Sequence, residues 1–507
     1  MGGNESKEQY KTDLKNIGEK EDKNGLEFGE DVIFTTKLLV DYSENEPDKS
    51  FKKICFLNKG RFCEVNLVQN ILTENKYAMK TFNKTKNYSS EDEESIKKEF
   101  EILKSIDHPN VVKMIGFYSK KNACHLITEL CNGGSLFKEL LNNGPYSEKA
   151  TAFIMFQIFS ALNYCHKKNI IISGLSLDNI LISDKNNGYP IIKLSYFGIS
   201  KLAEKGAIQK NDIGFSYYIA PEILKKCYNE KCDIWSAGVI MYFLLSARPP
   251  FGGESNEEII SKIKIGNYDI NCSPFSELSK NCIDLLQKLL DIQVFSRITS
   301  NDALNHPWFK ENSSKVYFVK TKDEKSVDIL IDNIKNYKKQ NIIQKTALAY
   351  LIHNFSQMKE IVNACKLFYF FDKDQDGKIN KNELYEGLKL KTNSNTLKND
   401  IDVFFNNIDM DNNGFIEYEE FVRAAVNKKK FLNRNIIKYA FNYFDKDGSG
   451  TITFDEIRNV FEKNIIKNEN IDEVLKKIMV EADLDLDGKI TIEEFSKIMK
   501  QMIIQNL

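Results

Sequence analysis

The final third of the chain repeats one acidic, twelve-residue loop four times, and this repeat limits the fold more than any other feature. The copies begin at residues 372, 409, 445 and 483 and read DKDQDGKINKNE, DMDNNGFIEYEE, DKDGSGTITFDE and DLDLDGKITIEE. Each has oxygen-bearing side chains at positions one, three and five, glycine at six, isoleucine at eight and glutamate at twelve. Apolar residues flank the first copy as helices require, at Leu367, Phe371, Leu384 and Leu388. The repeat predicts helix–loop–helix units.

This pattern suits calcium, which prefers about six to eight hard oxygen ligands, and it matches the EF-hand loop. Glycine permits the sharp turn, the seventh residue offers a backbone carbonyl, and the last glutamate closes the site. We expect up to four Ca²⁺ ions, with the third loop weakest because Ser449 replaces a carboxylate at its fifth position. The module resembles calmodulin, with two EF-hand pairs. The candidate ligands are Asp372, Asp374, Asp376, Lys378, Glu383, Asp409, Asp411, Asn413, Phe415, Glu420, Asp445, Asp447, Ser449, Thr451, Glu456, Asp483, Asp485, Asp487, Lys489 and Glu494.

A second set of motifs occupies the part of the chain before these loops. Residues 57–65 read LNKGRFCEV and residues 72–80 read LTENKYAMK, followed by the charged segment ESIKKEFEILKSIDHPN. Further on stand LITELCNGG (126–134), YYIAPEIL (217–224), KCDIWSAGVIMYFLL (231–245) and SRITSNDALNHPWF (296–309). Together these segments resemble a Ser/Thr protein kinase over about residues 51–310. With the EF-hands, the whole chain resembles a calcium-dependent protein kinase, a family that joins kinase, junction and calmodulin-like domains in one polypeptide.

The resemblance implies an α+β chain with a bilobal protein-kinase fold, a helical junction and an all-α calmodulin-like domain. The small lobe would be rich in β-strands and the large lobe helical. The implied segments are an N-terminal extension (1–50), a kinase-like domain (51–310), a junction (311–356) and an EF-hand domain (357–507). In the family, Lys80 would meet nucleotide phosphates and pair with Glu99. The implied nucleotide-binding residues are Leu57, Gly60, Val65, Ala78, Lys80, Glu99, Thr128, Glu129, Cys131, Asn179 and Leu181.

The catalytic positions depart from the family pattern. The family's catalytic loop reads H-R-D-L-K-P-E-N, whereas residues 172–179 read ISGLSLDN. Gly174 therefore stands at the position of the base, Ser176 at that of the lysine, and Tyr196 replaces the Mg²⁺-binding aspartate. A positioned base contributes about 10²–10⁴-fold in rate, and a neutral phenol is a poor Mg²⁺ ligand. We expect no intact catalytic set and poor Mg²⁺ binding, while Lys80 and the apolar cleft residues remain compatible with ATP.

Residues 326–355, SVDILIDNIKNYKKQNIIQKTALAYLIHNF, separate the two domains and show apolar residues at helical spacing. Lys335, Lys338, Lys339 and Lys345 make the first part basic. A basic amphipathic helix is typical of a calmodulin target, although an ordinary packing helix has the same period. The position matches the family's autoinhibitory junction. The resemblance therefore implies an intramolecular partner, with calcium transferring the junction helix from the kinase-like domain to the EF-hands.

The composition and the N-terminal residues of the chain limit its expected cellular location and its expected binding partners. Lys and Arg number 71 against 72 Asp and Glu, so charge gives no reason to expect nucleic-acid binding. The longest apolar run, 239–245, is shorter than the roughly 20 residues of a membrane span. MGGNES fits N-myristoylation at Gly2, although a polar tail can match by chance. One myristoyl chain binds membranes weakly, so we expect a cytoplasmic protein with at most peripheral, switchable membrane association.

Two functions remain open from the sequence, and a third explains less of it. The first is a calcium-responsive pseudokinase that presents a surface to an unidentified protein partner. The second is a calcium-activated Ser/Thr kinase with weak, atypical phosphate transfer from ATP. A pure calcium buffer would leave most of the chain without a role. The missing carboxylates at Gly174 and Tyr196 favour the first function.

Overall fold

The computed structural model describes residues 41–504, with gaps at 44–46, 60–62, 85–89, 121, 187–188, 196, 198–200, 203–216, 226–227, 272, 313–323, 339, 357, 375, 390–393, 411 and 463–470. Five residues that the sequence singles out lie outside the described residues: Gly2, Gly60, Tyr196, Lys339 and Asp411. None of the described helices is both long and apolar enough to cross a membrane.

A six-stranded sheet forms the small lobe, in the order β1-β5-β6-β4-β3-β2. Strand β1 pairs with β5 in parallel, and the other neighbours are antiparallel. Helix α1 (Ser90–Ser105) lies on this sheet, where the rings of Phe100 and Phe117 are 4.7 Å apart between centroids. The strands are β1 (Asp41–Ser43), β2 (Phe51–Lys59), β3 (Glu64–Asn70), β4 (Lys76–Asn83), β5 (Met114–Ser119) and β6 (Ala123–Glu129).

The large lobe is built around helices that are buried on every side. Positions 150 to 165 of α3 and 232 to 245 of α5 are all buried, as expected for helices without a polar face. Its helices are α2 (Leu136–Asn143), α3 (Glu148–Lys167), α4 (Pro221–Leu224), α5 (Lys231–Ser246), α6 (Asn256–Ile265), α7 (Lys280–Leu289), α8 (Ser300–Leu304) and α9 (Pro307–Glu311). Its short strands are β7 (Ile170–Ile171), β8 (Ile180–Asn186), β9 (Tyr189–Leu194) and β10 (Lys201–Leu202).

The junction forms two helices, α10 (Glu324–Lys335) and α11 (Ile342–Asn354), where the sequence predicts one amphipathic helix. A capping box starts the second helix, because Asn341 Oδ1 accepts the Gln344 amide at 2.9 Å and Gln344 Oε1 accepts the Asn341 amide at 3.2 Å. Lys335 therefore ends the first helix and Lys338 lies in the break. Apolar side chains of both helices belong to the core of the EF-hand module, among them Leu330, Ile334, Leu348 and Leu351.

The EF-hand module is all helical apart from two short ladders between paired loops. Strand β11 (Lys378–Ile379) pairs with β12 (Ile416–Glu417), and β13 (Thr451–Thr453) pairs with β14 (Lys489–Thr491). This pairing confirms two EF-hand pairs, and the two lobes ahead of them confirm the predicted α+β fold. The helices are α12 (Lys359–Phe371), α13 (Lys381–Lys389), α14 (Ser394–Ile408), α15 (Tyr418–Ala425), α16 (Lys428–Phe431), α17 (Arg434–Phe444), α18 (Phe454–Glu462), α19 (Ile471–Ala482) and α20 (Ile492–Ile504).

Candidate functional site

The loop that carries Gly174 is held by Asp233 of helix α5. The Asp233 carboxylate accepts hydrogen bonds from the amides of Ile172 at 2.9 Å and Ser173 at 2.7 Å. His166 Nε2 lies 3.0 Å from the same carboxylate. Asp233 is fully buried, so these contacts offset the cost of removing its charge from water. They also hold Ser173 at a φ of 53°, in the left-handed region.

Gly174 itself contributes backbone and no side chain. Its carbonyl accepts a hydrogen bond from Asn179 Nδ2 at 3.0 Å, so the two ends of the loop are joined. Ser176 is buried, and its Oγ has no hydrogen-bond partner among the described residues. Partial burial raises the pKa of Asp178, the acid next to Asn179. The frame of a catalytic loop is therefore present, with glycine where the base is expected.

Lys80 forms the ion pair that the family resemblance implies. Its Nζ lies 3.3 Å from Glu99 Oε1 and donates to the carbonyl of Ser195 at 2.7 Å. The Ser195 hydroxyl in turn donates to the carbonyl of Asn179 at 2.9 Å. Lys80 is thus linked through Ser195 to the loop that carries Gly174.

Strand register places four of the predicted nucleotide-binding residues on one face of the small-lobe sheet. Val65 lies opposite Lys80, and Ala78 lies opposite Thr128. Opposed residues share a face, and so do residues two apart on one strand, so Val65, Ala78, Lys80 and Thr128 point to the same side. Glu129, the next residue, points to the opposite side. Leu57 lies on the edge strand β2 and is 44% exposed.

The remaining cleft candidates come from the large lobe and the segment that joins the lobes. Leu181 on β8 forms an isolated bridge with Ser135, just after the joining segment. Burial raises the pKa of the Cys131 thiol in that segment. Burial likewise raises the pKa of Cys63, the residue before strand β3. Both thiols are therefore protonated near neutral pH and poorly nucleophilic.

The described groups in this corner do not fit Mg²⁺, which prefers carboxylate and water oxygens in near-octahedral geometry. Asn179 Nδ2 donates to the Gly174 carbonyl, which leaves the neutral Oδ1 as the oxygen that this side chain can offer, and the Ser195 hydroxyl donates to the Asn179 carbonyl. Tyr196, at the family's metal position, lies outside the described residues.

The EF-hand loops, by contrast, fit calcium. In three loops, carboxylate oxygens from the first, third and twelfth positions lie within 4.8 Å of one another, a hard-oxygen set that suits Ca²⁺. In all four loops the sixth-position glycine amide donates to the first aspartate, at 2.8 to 3.0 Å. The three clusters are Asp372, Asp374 and Glu383; Asp445, Asp447 and Glu456; and Asp483, Asp485 and Glu494.

Burial and mutual repulsion perturb the carboxylates of the first loop. Burial, followed by the charges of neighbouring loop acids, raises the pKa of Asp372 well above its usual value. Burial and neighbouring acids also raise the pKa values of Asp374 and Glu383. A divalent cation held by these three residues would relieve that repulsion. In the third loop, Ser449 Oγ donates to the Thr451 carbonyl at 3.0 Å, an oxygen that the sequence assigns to calcium.

Sequence reasoning missed the residues that attach the EF-hand module to the kinase-like domain. Tyr77 of β4 donates its hydroxyl to the carbonyl of Asn354 at 3.0 Å. Ser356 Oγ donates to Glu129 Oε2 at 3.1 Å, and His353 Nε2 contacts the carbonyl of Met114.

We call His353, Asn354 and Ser356 the clamp. It lies at the end of α11 and binds strands β4, β5 and β6 of the small lobe. Nothing in the local pattern of HNFS signals this contact, because its partners are more than two hundred residues away.

Comparison with known proteins agrees with this architecture. A protein kinase domain model matches residues 51–309, and an EF-hand domain pair model matches residues 362–426 and 434–500. Calcium-dependent protein kinase 4 of Plasmodium falciparum is 35% identical over 465 residues, covering 90% of this chain and 87% of that protein. Calcium-dependent protein kinase 33 of Arabidopsis thaliana is 33% identical over 446 residues, covering 88% and 83%. The chain therefore belongs to the calcium-dependent protein kinase family.

Proposed function

We propose that this chain is a calcium-responsive pseudokinase, a switch whose kinase-like domain presents a binding surface instead of transferring phosphate. Gly174 carries the proposal, because it stands at the base position and its only polar groups are those of the backbone. Loss of a positioned base lowers a rate by about 10²–10⁴-fold. Poor Mg²⁺ ligands beside Asn179 would remove charge stabilisation of the transferring phosphoryl group as well.

The contacts that hold the loop around Gly174 are consistent with a domain that has lost catalytic activity but kept its fold. Asp233 still accepts the amides of Ile172 and Ser173, and Glu222 still pairs with the buried Arg297 at 2.5 Å. Removing one partner of such a buried pair is strongly destabilising, so these contacts are needed for the fold whether or not the domain reacts.

A second candidate is a calcium-activated kinase with a slow, atypical transfer step. The Lys80–Glu99 pair at 3.3 Å favours it, because this pair positions nucleotide phosphates in the family. Positioning alone contributes to rate when the reacting groups are held in line.

Phosphate transfer from ATP by the purified full chain, with and without Ca²⁺, separates the two candidates. The pseudokinase proposal expects no transfer above that of Lys80→Met, the control for contaminating kinases. Calcium-stimulated transfer that Lys80→Met abolishes would refute it. A second variant, Gly174→Asp with Tyr196→Asp, restores both carboxylates and tests whether their loss is the cause of inactivity.

Nucleotide binding is tested separately by calorimetry with ATP, with and without Mg²⁺. We propose that the cleft binds ATP through Lys80 and the apolar face formed by Val65, Ala78 and Leu181. Because the described groups around Asn179 and Ser195 are poor Mg²⁺ ligands, the affinity for ATP should not rise when Mg²⁺ is added. An affinity that requires Mg²⁺ would contradict this.

A further inference from the structure

The segment between the two EF-hand pairs places a lysine inside the core of the module. We call residues 426–433 the connector, because they join α15 to α17 and contain the short helix α16. Lys428, the first residue of α16, is 3% exposed, whereas the next two residues, Lys429 and Lys430, are exposed. Three consecutive lysines would be expected to face solvent, and one of them does not.

The amine of Lys428 is buried without a hydrogen-bond partner among the described residues. Its Nζ lies 4.8 Å from the centroid of the Tyr337 ring, in the break between α10 and α11. The Tyr337 hydroxyl donates to Gln340 Oε1 at 3.2 Å, and burial raises the pKa of this phenol to about 12, so the ring is neutral. Lys338, the residue after Tyr337, is exposed. The contact of the amine is therefore an aromatic face, where a buried lysine usually has a carboxylate.

Helix α15 brings a second buried cation to this place. Arg423 is 2% exposed, its Nε has no hydrogen-bond partner in the described part of the chain, and its positive charge acts on Lys428. The acid of the same helix, Glu420, is directed elsewhere, since its carboxylate accepts the amides of Met410 and Glu417, both at 2.9 Å. Its charge acts on Tyr337, whereas the charge that acts on Lys428 is that of Arg423.

Helix α20, which also packs on α16, does not neutralise Lys428 either. Its last charged residues, Lys497 and Lys500, are exposed, and its buried residues there, such as Met499, are apolar. Burial, followed by the charge of Arg423, lowers the pKa of Lys428 to about 7. An exposed lysine has a pKa of about 10.4, so closing the core around this amine favours its neutral form.

We propose that the connector is a proton-linked hinge, in which Lys428 is buried as a neutral amine and takes a proton from water when the connector opens. Opening exposes the amine and removes it from the field of Arg423, so the ammonium form is then the stable one. Because opening takes up a proton, a fall in pH favours the open connector. Acidification toward neutral pH therefore loosens the joint between the two EF-hand pairs and its contact with Tyr337.

The direction and the range of this effect follow from the two pKa values of Lys428. Above about pH 10.4 the amine is neutral in both states, and well below about pH 7 it is protonated in both, so pH has no effect there. Between these limits, each unit of pH decrease raises the ratio of open to closed connector by up to about tenfold. The closed connector is thus most stable at alkaline pH and loses that stability as the pH falls toward 7.

The test is amide hydrogen exchange of the full chain from about pH 7 to about pH 9, with saturating Ca²⁺ so that the state of the loops does not change. Exchange of the connector peptide, corrected for intrinsic rates, gives the open fraction. In the wild-type chain this fraction should rise by close to tenfold from about pH 9 to about pH 8. Lys428→Met removes the amine and keeps an unbranched side chain, so its exchange should be slower than wild type at pH 7 and independent of pH.

Two further variants make the test specific. Lys428→Arg carries a charge that stays protonated over this range, so its connector should exchange fast at every pH. Lys429→Met is the matched control, because it removes the same charge from the exposed next residue of α16 and should keep the wild-type pH dependence.

A wild-type open fraction that does not change with pH, or a pH dependence that survives in Lys428→Met, would overturn the proposal. Exchange in Lys428→Met that is as fast as wild type or faster at pH 7 would also overturn it, because removing an unpaired buried charge must slow opening. The test needs neither nucleotide nor phosphate transfer, so its outcome is independent of the proposed function.

Discussion

Replacing Ser356 with alanine should loosen the attachment of the EF-hand module to the small lobe. Ser356 and Glu129 are 8% and 3% exposed, and their hydrogen bond of 3.1 Å involves a charged acceptor. Hydrogen bonds to charged groups contribute about 1.5–3 kcal/mol. Glu129 keeps two other partners, Lys193 Nζ and the amide of Lys113, both at 2.8 Å. We therefore expect a cost near or just below the low end of that range, about 1–2 kcal/mol.

Amide exchange of the peptide that contains the clamp measures this loss. A cost of about 1–2 kcal/mol predicts roughly 5- to 30-fold faster exchange, if the clamp opens by local undocking. Ser105→Ala is the control, since Ser105 Oγ makes a bond of 2.7 Å to Ile102 within its own helix and should leave the clamp unchanged.

A double-mutant cycle with Glu129→Leu isolates the pair, because the uncompensated Lys193 contributes equally to the Glu129 single and double variants. The reasoning would be refuted if the amide exchange rate of the clamp peptide in Ser356→Ala stayed within twofold of wild type. It would also be refuted if the coupling energy between Ser356 and Glu129 were near zero.

Three further predictions concern other parts of the chain. Asp233→Asn should destabilise the kinase-like domain by about 1.5–3 kcal/mol, because a loop amide loses its charged acceptor, and denaturant unfolding followed by the fluorescence of Trp235 and Trp308 measures it. Ser449→Asp should move the exchange midpoint of the third loop to lower Ca²⁺ without moving that of the fourth, since it adds a carboxylate to the loop that we expect to be weakest. Burial lowers the pKa of His353 to about 4. The neutral ring therefore stabilises the docked clamp fully above about pH 6.5, and this stability falls by about 1.4 kcal/mol per pH unit as the pH drops toward 4. His353→Gln should remove that dependence from clamp exchange, corrected for intrinsic rates, and an unchanged profile would contradict it.

The sequence predicted the calcium loops and the kinase fold because their determinants are local or occur as recognisable motifs. All the ligands of one EF-hand loop lie within twelve residues, so spacing alone brings them together. The Lys80–Glu99 pair was also predicted, although only through the family resemblance.

The junction was predicted less well. Its apolar period was correct, but Asn341 and Gln344 form a capping box that divides the segment into two helices. That signal, Asn followed three residues later by Gln, was present in the sequence and was weaker than the continuous apolar pattern.

The contacts between the domains could not be predicted, since they depend on how two folded units meet. Lys167 and Asp376 are 209 residues apart, and Ser356 and Glu129 are 227 apart. Only the docked arrangement brings the two members of each pair together.

The position of Glu129 supports the proposed function, because it offers a route from the EF-hand module to the cleft that does not need a catalytic base. Thr128, its neighbour, lies on the same sheet face as Lys80, the face assigned to the nucleotide, while Glu129 points to the other face and binds the clamp. The link between the EF-hand module and the cleft therefore runs through the strand itself and uses neither Gly174 nor a bound metal. Loss of the catalytic carboxylates leaves this link intact. Under the proposed function, a change in the docking of the EF-hand module would reach the nucleotide face of the sheet through Glu129 and Thr128.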